Sequence, residues 1–334
     1  MLGLDDSLAA AAIGPQSPGK LRTRGIVLVP GDLSLVDWPE RAKRVGLTTI
    51  ALHHGSRPGE VVRFIQSPAG RAFIEQCRRL GLEVEYELHA GAELLPRGLF
   101  AKDKSLFRMN DRGERTADAN LCVHSGPALE VAAEQAVRWA RVLKPTTGRY
   151  FFWGDDGQPW CRCPQCRDFS DSDQALTLEN HVVHALRDQQ PDAQLAHLAY
   201  ANTLPPPRKV KPAPGIFLEY APIGRRYDIP YAQQKDSGAP DGLSVFEANL
   251  QTFPVESAQV LEYWLDVSKA SGWKKPAARL PWHKELFLSD VATYRAHGIQ
   301  HLTSFAVWID ADYVQRYGEP GFLSEYGKGL TDNS

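Results

Sequence analysis

The chain has 334 residues, of which 43% are hydrophobic and 10% aromatic, and a formal net charge of −2. That length suits one (β/α)8 barrel with extended loops, or two ordinary domains. The near-balanced charge excludes the broad basic field that nucleic acid or anionic lipid would require, and no run approaches the roughly 18 apolar residues of a membrane span.

Residues 1–21 read as a loose leader. Asp5 and Asp6 stand where a basic region would precede a signal, and the apolar stretch 8–13 is too short for one, so a cytoplasmic location is the expectation. Ile26-Val27-Leu28-Val29 is a continuous apolar run and marks a first buried strand. Asp37 caps a helix with Pro39 in its first turn, ending at Gly46. A second strand is expected over 48–53, a helix over 60–80 with a break at Ser67-Pro68, and a third strand over 82–88. Residues 90–122 form a long excursion without a core pattern, which in a compact domain is usually functional. Ser125 opens a helix whose apolar positions, Leu129, Ala132, Ala136, Ala140 and Leu143, follow a 3.6 period. Further strands are expected at 150–153, 194–200, 216–220, 259–265 and 301–307, with helices at 173–190, 243–253 and 284–297. Eight strands alternating with helices fit a single (β/α)8 TIM barrel over residues 22–330. A doubly wound open sheet is the runner-up. Pro30-Gly31-Asp32 after the first strand is not its glycine-rich phosphate loop.

A barrel of this kind builds its sites at the C-terminal ends of its strands. Those ends offer His53 and His54, Glu87 and His89, Asp155 and Asp156, Tyr200 and Asn202, Glu219 and Tyr220 followed by Arg225, and Glu262, Tyr263 and Asp266. Of the consecutive His53 and His54 only one can face the barrel interior. Asp155-Asp156 ends the apolar strand Tyr150-Phe151-Phe152-Trp153 and lies between glycines, which also suits an ordinary turn. Glu262 interrupts Val260-Leu261-Glu262-Tyr263-Trp264-Leu265, so it is either catalytic or paired with an arginine. Two carboxylates facing each other across a pocket are what glycoside hydrolysis requires.

Cys161-x-Cys163-x-x-Cys166 follows in the loop after the fourth strand. Thiolates so spaced fold around zinc, with Cys122 or His124 as the fourth ligand. A disulfide and unmodified thiols remain open, although an odd total of five cysteines is not a secreted disulfide framework. Cys77 reads as a core residue.

Several segments taken together resemble a bacterial domain family of unassigned function with a glycosidase-like barrel. They are Glu85-Tyr86-Glu87-Leu88-His89, Leu94-Leu95-Pro96-Arg97, Phe107-Arg108-Met109-Asn110, Asn120-Leu121-Cys122, Trp153-Gly154-Asp155-Asp156-Gly157 with the three cysteines, and Val260 through Asp266. That family is grouped with barrels such as α-glucuronidases and β-hexosaminidases. The resemblance implies carbohydrate processing without a defined substrate. Such relatives often carry flanking β-domains, which are not expected within a chain of this length.

The residues thus lead to an expected glycoside hydrolase acting on a small or oligomeric sugar. Asp156 is expected as general acid, Glu262 as nucleophile or base, and Asp155 or Glu87 as the group that tunes the acid. His54, Glu87, His89, Trp153, Tyr200, Tyr220, Arg225 and Tyr263 are expected to hold the sugar, with Arg225 suited to an anionic substituent. No cofactor is expected for the chemistry; Cys122, Cys161, Cys163 and Cys166 are candidates for a structural zinc. The partner is then a carbohydrate, with no role for nucleic acid or membrane. Two rival readings are a non-catalytic carbohydrate-binding barrel and a metal-dependent hydrolase with His53, His54, His89 and Asp156 as ligands.

Overall fold

The computed structural model describes residues 20–55, 57–234 and 242–332, so the expected leader falls outside it except for Lys20 and Leu21. In chain order the main elements begin with β1 (Thr23–Leu28), α1 (Trp38–Arg44), β2 (Thr49–His54), α2 (Gly59–Gln66), α3 (Pro68–Leu80), β3 (Glu83–His89) and the short α4 (Gly91–Leu94). They continue with α5 (Gly126–Val142), β4 (Arg149–Trp153), α6 (Asp171–Gln189), β5 (Gln194–Ala199), β6 (Ile216–Tyr220), α7 (Leu243–Leu250), β7 (Gln259–Glu262) and α8 (Val267–Ala270). The last are α9 (Lys284–Ala296), β8 (His301–Phe305), α10 (Ala311–Tyr317) and α11 (Phe322–Thr331).

The eight strands pair in sequence order, all parallel, and close into a barrel where Gly25 of β1 meets both Thr49 of β2 and Thr303 of β8. The open-sheet alternative is thereby replaced. Parallel strands covered on both faces carry apolar runs, such as Ile26–Leu28 in β1 and Tyr150–Trp153 in β4, which is why the strands were legible. The helix expected over 60–80 is two helices. Ser67 ends α2 with its Oγ donating to Phe64 O and caps α3 by accepting from Gly70 N, and Pro68 has no N–H to continue the ladder. β7 is shorter than expected because the chain turns after Glu262 and Asp266 caps α8. Among the described residues no helix is long and apolar enough to cross a membrane.

Side chains alternate between two cores. Val27, Ala51, Phe151, Ala196, Phe217, Leu261 and Phe305 point into the barrel and pack on one another. Their neighbours Ile26, Leu28, Ile50, Leu52, Leu195, Leu218 and Val260 point outward against the helices. Towards the N-terminal end, the inward positions are polar. Arg149 lies 3.9 Å from Glu85, while Gln259 donates to Glu219 at 3.0 Å and to Glu87 at 3.5 Å. Three carboxyls share one guanidinium in a fully buried layer, so they cannot all be charged. Burial pushes the Glu219 carboxyl up to about 8 despite Arg149, and burial with Glu219 beside it lifts Glu87 well above the ordinary range.

Candidate functional site

A cavity of about 200 Å³ opens at the C-terminal mouth of the barrel. Its floor is the top layer of inward side chains, including Leu198, Leu261 and Phe305. Its polar groups are His53, His89, Asp156, Tyr200, Tyr263, Asp266 and Ser268, with Trp153 and Trp273 as aromatic walls.

Two imidazoles set its character. His53 Nδ1 lies 2.8 Å from Glu87 O and His89 Nδ1 lies 2.9 Å from Gly154 O. A carbonyl only accepts, so in both rings Nδ1 carries the proton and Nε2 of the neutral ring is an acceptor. Burial pushes His53 down to about 3, and it also lowers His89, against the pull of Asp156. His89 Nε2 stands 3.7 Å from Asp156 Oδ1. A Cβ on Gly55 would come within 3.5 Å of Asp156 Oδ2 and 3.6 Å of His53 Nε2, so the three groups crowd one side of the mouth. The His89 ring also packs against Trp153, with centroids 5.0 Å apart, and against Tyr200 at 6.0 Å.

Across the cavity, the turn after β7 supplies Tyr263 and Asp266. Asp266 Oδ1 accepts from Ser268 Oγ at 2.6 Å and from Lys269 N at 3.1 Å. Burial nevertheless raises its carboxyl above the ordinary range. Trp273, on the same connection, is 63% exposed, with a left-handed backbone at φ 56°. Holding a tryptophan there costs conformational energy, as is common at binding surfaces. A smaller cavity, of about 160 Å³, adjoins the first through the shared Tyr263 and Asp266, and is lined beyond them by Tyr227, Trp282 and His283 among others.

The structure brings together His89, Trp153, Asp156, Tyr200 and Tyr263 of the residues singled out in the sequence. It places the others elsewhere. Asp155 turns into the neighbouring loop, where it pairs with Arg97 and accepts from Ala92 N at 3.1 Å and Asn120 N at 2.6 Å. The approach is so close that a Cβ on Gly91 would sit 2.6 Å from its carboxyl carbon. Its fully engaged carboxylate ties the loops that precede β4 to the one that follows it.

Glu262 alternates with the inward Leu261 and therefore faces the helices. It accepts from Tyr294 Oη at 2.5 Å and Tyr227 Oη at 3.0 Å, and pairs with Arg225 at 3.1 Å. Arg225 is buried with it and pairs also with Asp290 of α9. Neither residue lines the cavity, so the expected roles as nucleophile and as anion ligand do not fit their positions. Tyr220 likewise faces outward, where its hydroxyl accepts from Tyr231 Oη at 3.0 Å. Glu87 points inward but lies in the polar layer below the cavity. The strand-two histidine at the site is His53. His54 faces α2, with Nδ1 accepting from Arg57 N at 3.0 Å and Nε2 3.5 Å from Glu60. Among the described residues, His53, His89 and Asp156 do not converge as a metal-ligand group, whereas Cys122, Cys161, Cys163 and Cys166 do.

Three lining residues were not anticipated in their roles. His53 and Asp266 stood among the candidates at strand ends, but Trp273, in a short loop between lysines and a glycine, had no pattern to mark it.

A family model described as Domain of unknown function (DUF4838) matches residues 66–269. The chain belongs to this family. The matched segment contains His89, Trp153, Asp156, Tyr200, Tyr263, Asp266 and the cysteine cluster, so the family's shared region includes most of the polar lining. A comparison with curated proteins finds no match. Among solved structures, a beta-N-acetylhexosaminidase from Bacteroides fragilis NCTC 9343 is similar with a TM-score of 0.57 at 12% identity, over 92% of this chain and 66% of its own. A GH5-4 broad specificity endoglucanase from an uncultured bacterium gives 0.52 at 9% identity, over 96% of this chain and 97% of its own. A cold-adapted beta-galactosidase from Rahnella sp. R3 gives 0.55 at 12% identity, over 93% and 57%. The chain thus spans less than two thirds of the hexosaminidase and of the galactosidase. At such identities the likeness is one of fold: the DUF4838 chain has the barrel of glycoside hydrolases.

Proposed function

We propose that the protein is a glycoside hydrolase whose two working carboxylates are Asp156, after β4, and Asp266, after β7. The observation that carries this reading is that both acids line one aromatic-walled cavity at the barrel mouth. The fold shared with three kinds of glycosidase supports the same class of reaction. Asp266, its carboxyl raised by burial, is the general acid. It passes its proton to the leaving glycosidic oxygen as the C–O bond breaks. Asp156, 51% exposed, stands on the solvent side. It either attacks the anomeric carbon or takes a proton from the water that does, according to the separation of the two acids across the bound sugar.

The lining also favours a substrate class. His53 Nε2, His89 Nε2 and Asp156 are acceptors, and among the described residues no lysine or arginine lines this cavity. Hydroxyl, amide or ammonium donors suit such a site; a carboxylate does not. Neutral sugars and amino or N-acylamino sugars are therefore favoured over uronic acids, with Trp153, Tyr263 and Trp273 offering faces for the ring.

The test is a screen of aryl glycosides that includes neutral hexosides, N-acetylhexosaminides and uronides. Turnover of a neutral or amino glycoside supports the reading. Selective turnover of a uronide overturns the substrate class. Saturable sugar binding with no turnover of any bound glycoside overturns hydrolysis in favour of a binding barrel.

A further inference from the structure

The loop that carries Asp156 continues into a second site of different chemistry. Cys122, just before α5, and Cys161, Cys163 and Cys166, between β4 and α6, place four buried sulfurs within 4.8 Å of one another. Cys122 Sγ lies 3.8 Å from both Cys163 Sγ and Cys166 Sγ. A disulfide needs sulfurs about 2.05 Å apart, so these are separate thiols. The distance matches something else. Four sulfurs at about 2.3 Å from a tetrahedral zinc ion are separated from one another by about 3.8 Å.

The surroundings are those of a closed ligand set. Cys163-x-x-Cys166 forms a tight turn in which Cys166 N and Arg167 N both donate to Cys163 O, at 2.9 and 3.0 Å. Met109 N donates to Cys161 Sγ at 3.3 Å, and the Arg115 guanidinium reaches the same sulfur at 3.6 Å. His124 Nδ1 lies 3.2 Å from Cys166 Sγ, outside the set of four but able to donate to it. Gln174 of α6 fixes the turn, accepting from Cys161 N and donating to Cys161 O, both at 3.1 Å. A zinc tetrathiolate carries a net charge of −2, and hydrogen-bond donors with one nearby cation are what stabilise it.

We propose that the four cysteines bind one structural zinc ion, which fastens the excursion before α5 to the loop that bears Asp156. No coordination position is left for a substrate, so the ion holds the fold of these loops and takes no part in bond breaking. The assignment stands independently of the carboxylate reading, since none of its tests reads glycoside turnover.

The test uses the full chain purified without chelator. Elemental analysis by mass spectrometry is expected to give about one zinc per chain, and titration with a thiol-specific mercurial to release that zinc in step with loss of cluster thiols. Cys122→Ser and Cys163→Ser should lose the metal, while Cys77→Ser, remote from the cluster, should keep it. If the cluster variants do not fold, the mercurial titration of the native chain decides, with a fall of roughly 10 °C in melting temperature on zinc release. Intact reduced protein that neither contains zinc nor takes up added zinc overturns the proposal. So does a disulfide within the cluster, or stoichiometric iron in place of zinc.

Discussion

His89 Nε2 and Asp156 Oδ1 stand 3.7 Å apart at the rim of the cavity. Burial lowers the imidazole, and the neighbouring carboxylate opposes that shift because it favours the charged ring. Asp156→Asn removes the favourable charge, so His89 should titrate at still lower pH in the variant. An NMR titration of the ring resonances checks this. A midpoint that stays in place or rises would show that the two groups do not interact.

The polar layer below the cavity predicts an unusual pH dependence of stability. Glu219 has a folded value near 8, raised mainly by burial, against about 4.3 in an unfolded chain. Between those limits the folded state holds a proton that the unfolded state has released. Stability from this group is therefore complete below the window and lost as pH rises through it. Urea midpoints should fall from about pH 5 to about pH 8.5. Glu219→Gln has no proton to lose and should decline less, the remaining slope coming from Glu87 and Glu85, whose carboxyls burial also raises. A variant that declines as steeply as the parent would remove Glu219 as the cause.

Glu262 and Arg225 make a second prediction about stability, because they form a buried pair on the outer face of the barrel. Removing one partner leaves the other's charge undercompensated in a dry site, a loss of ~3 kcal/mol or more. Glu262→Ala should lose about that much in urea unfolding and keep its turnover per folded molecule. Loss of turnover with unchanged stability would return Glu262 to the chemistry.

The barrel itself was readable because most of its strands contain short apolar runs, and punctuation such as Ser67-Pro68 stands between helices in the sequence. The same property hid the orientation of each strand. Where both faces are apolar, alternation does not say which parity points inward. His53 and His54, or Leu261 and Glu262, look equivalent until the barrel closes; the structure turns His53 and Leu261 inward and the other two out. Tyr220 was misplaced for the same reason. Asp155 and Asp156 are adjacent acids in a turn, and only the Arg97 and Asn120 that come from a distant loop separate the structural one from the one at the cavity. The cysteine spacing carried its own information, but the fourth sulfur depended on how the long excursion folds back.

Trp273 provides a test of how the cavity holds its ligand. Its ring is exposed and packs into no core, so Trp273→Ala should leave the melting temperature nearly unchanged. If the ring stacks on a sugar face, KM or the dissociation constant should rise roughly tenfold, equivalent to about 1.4 kcal/mol. Unchanged affinity would place the sugar elsewhere in the cavity.

The account rests on two acids facing one bound sugar, and kcat/KM of Asp156→Asn and Asp266→Asn on a glycoside cleaved by the parent chain tests it most directly. Each variant should lose about a hundredfold or more in turnover, the scale of acid–base catalysis, while keeping its fold by circular dichroism. Turnover within a few-fold of the parent in either variant would contradict the assignment.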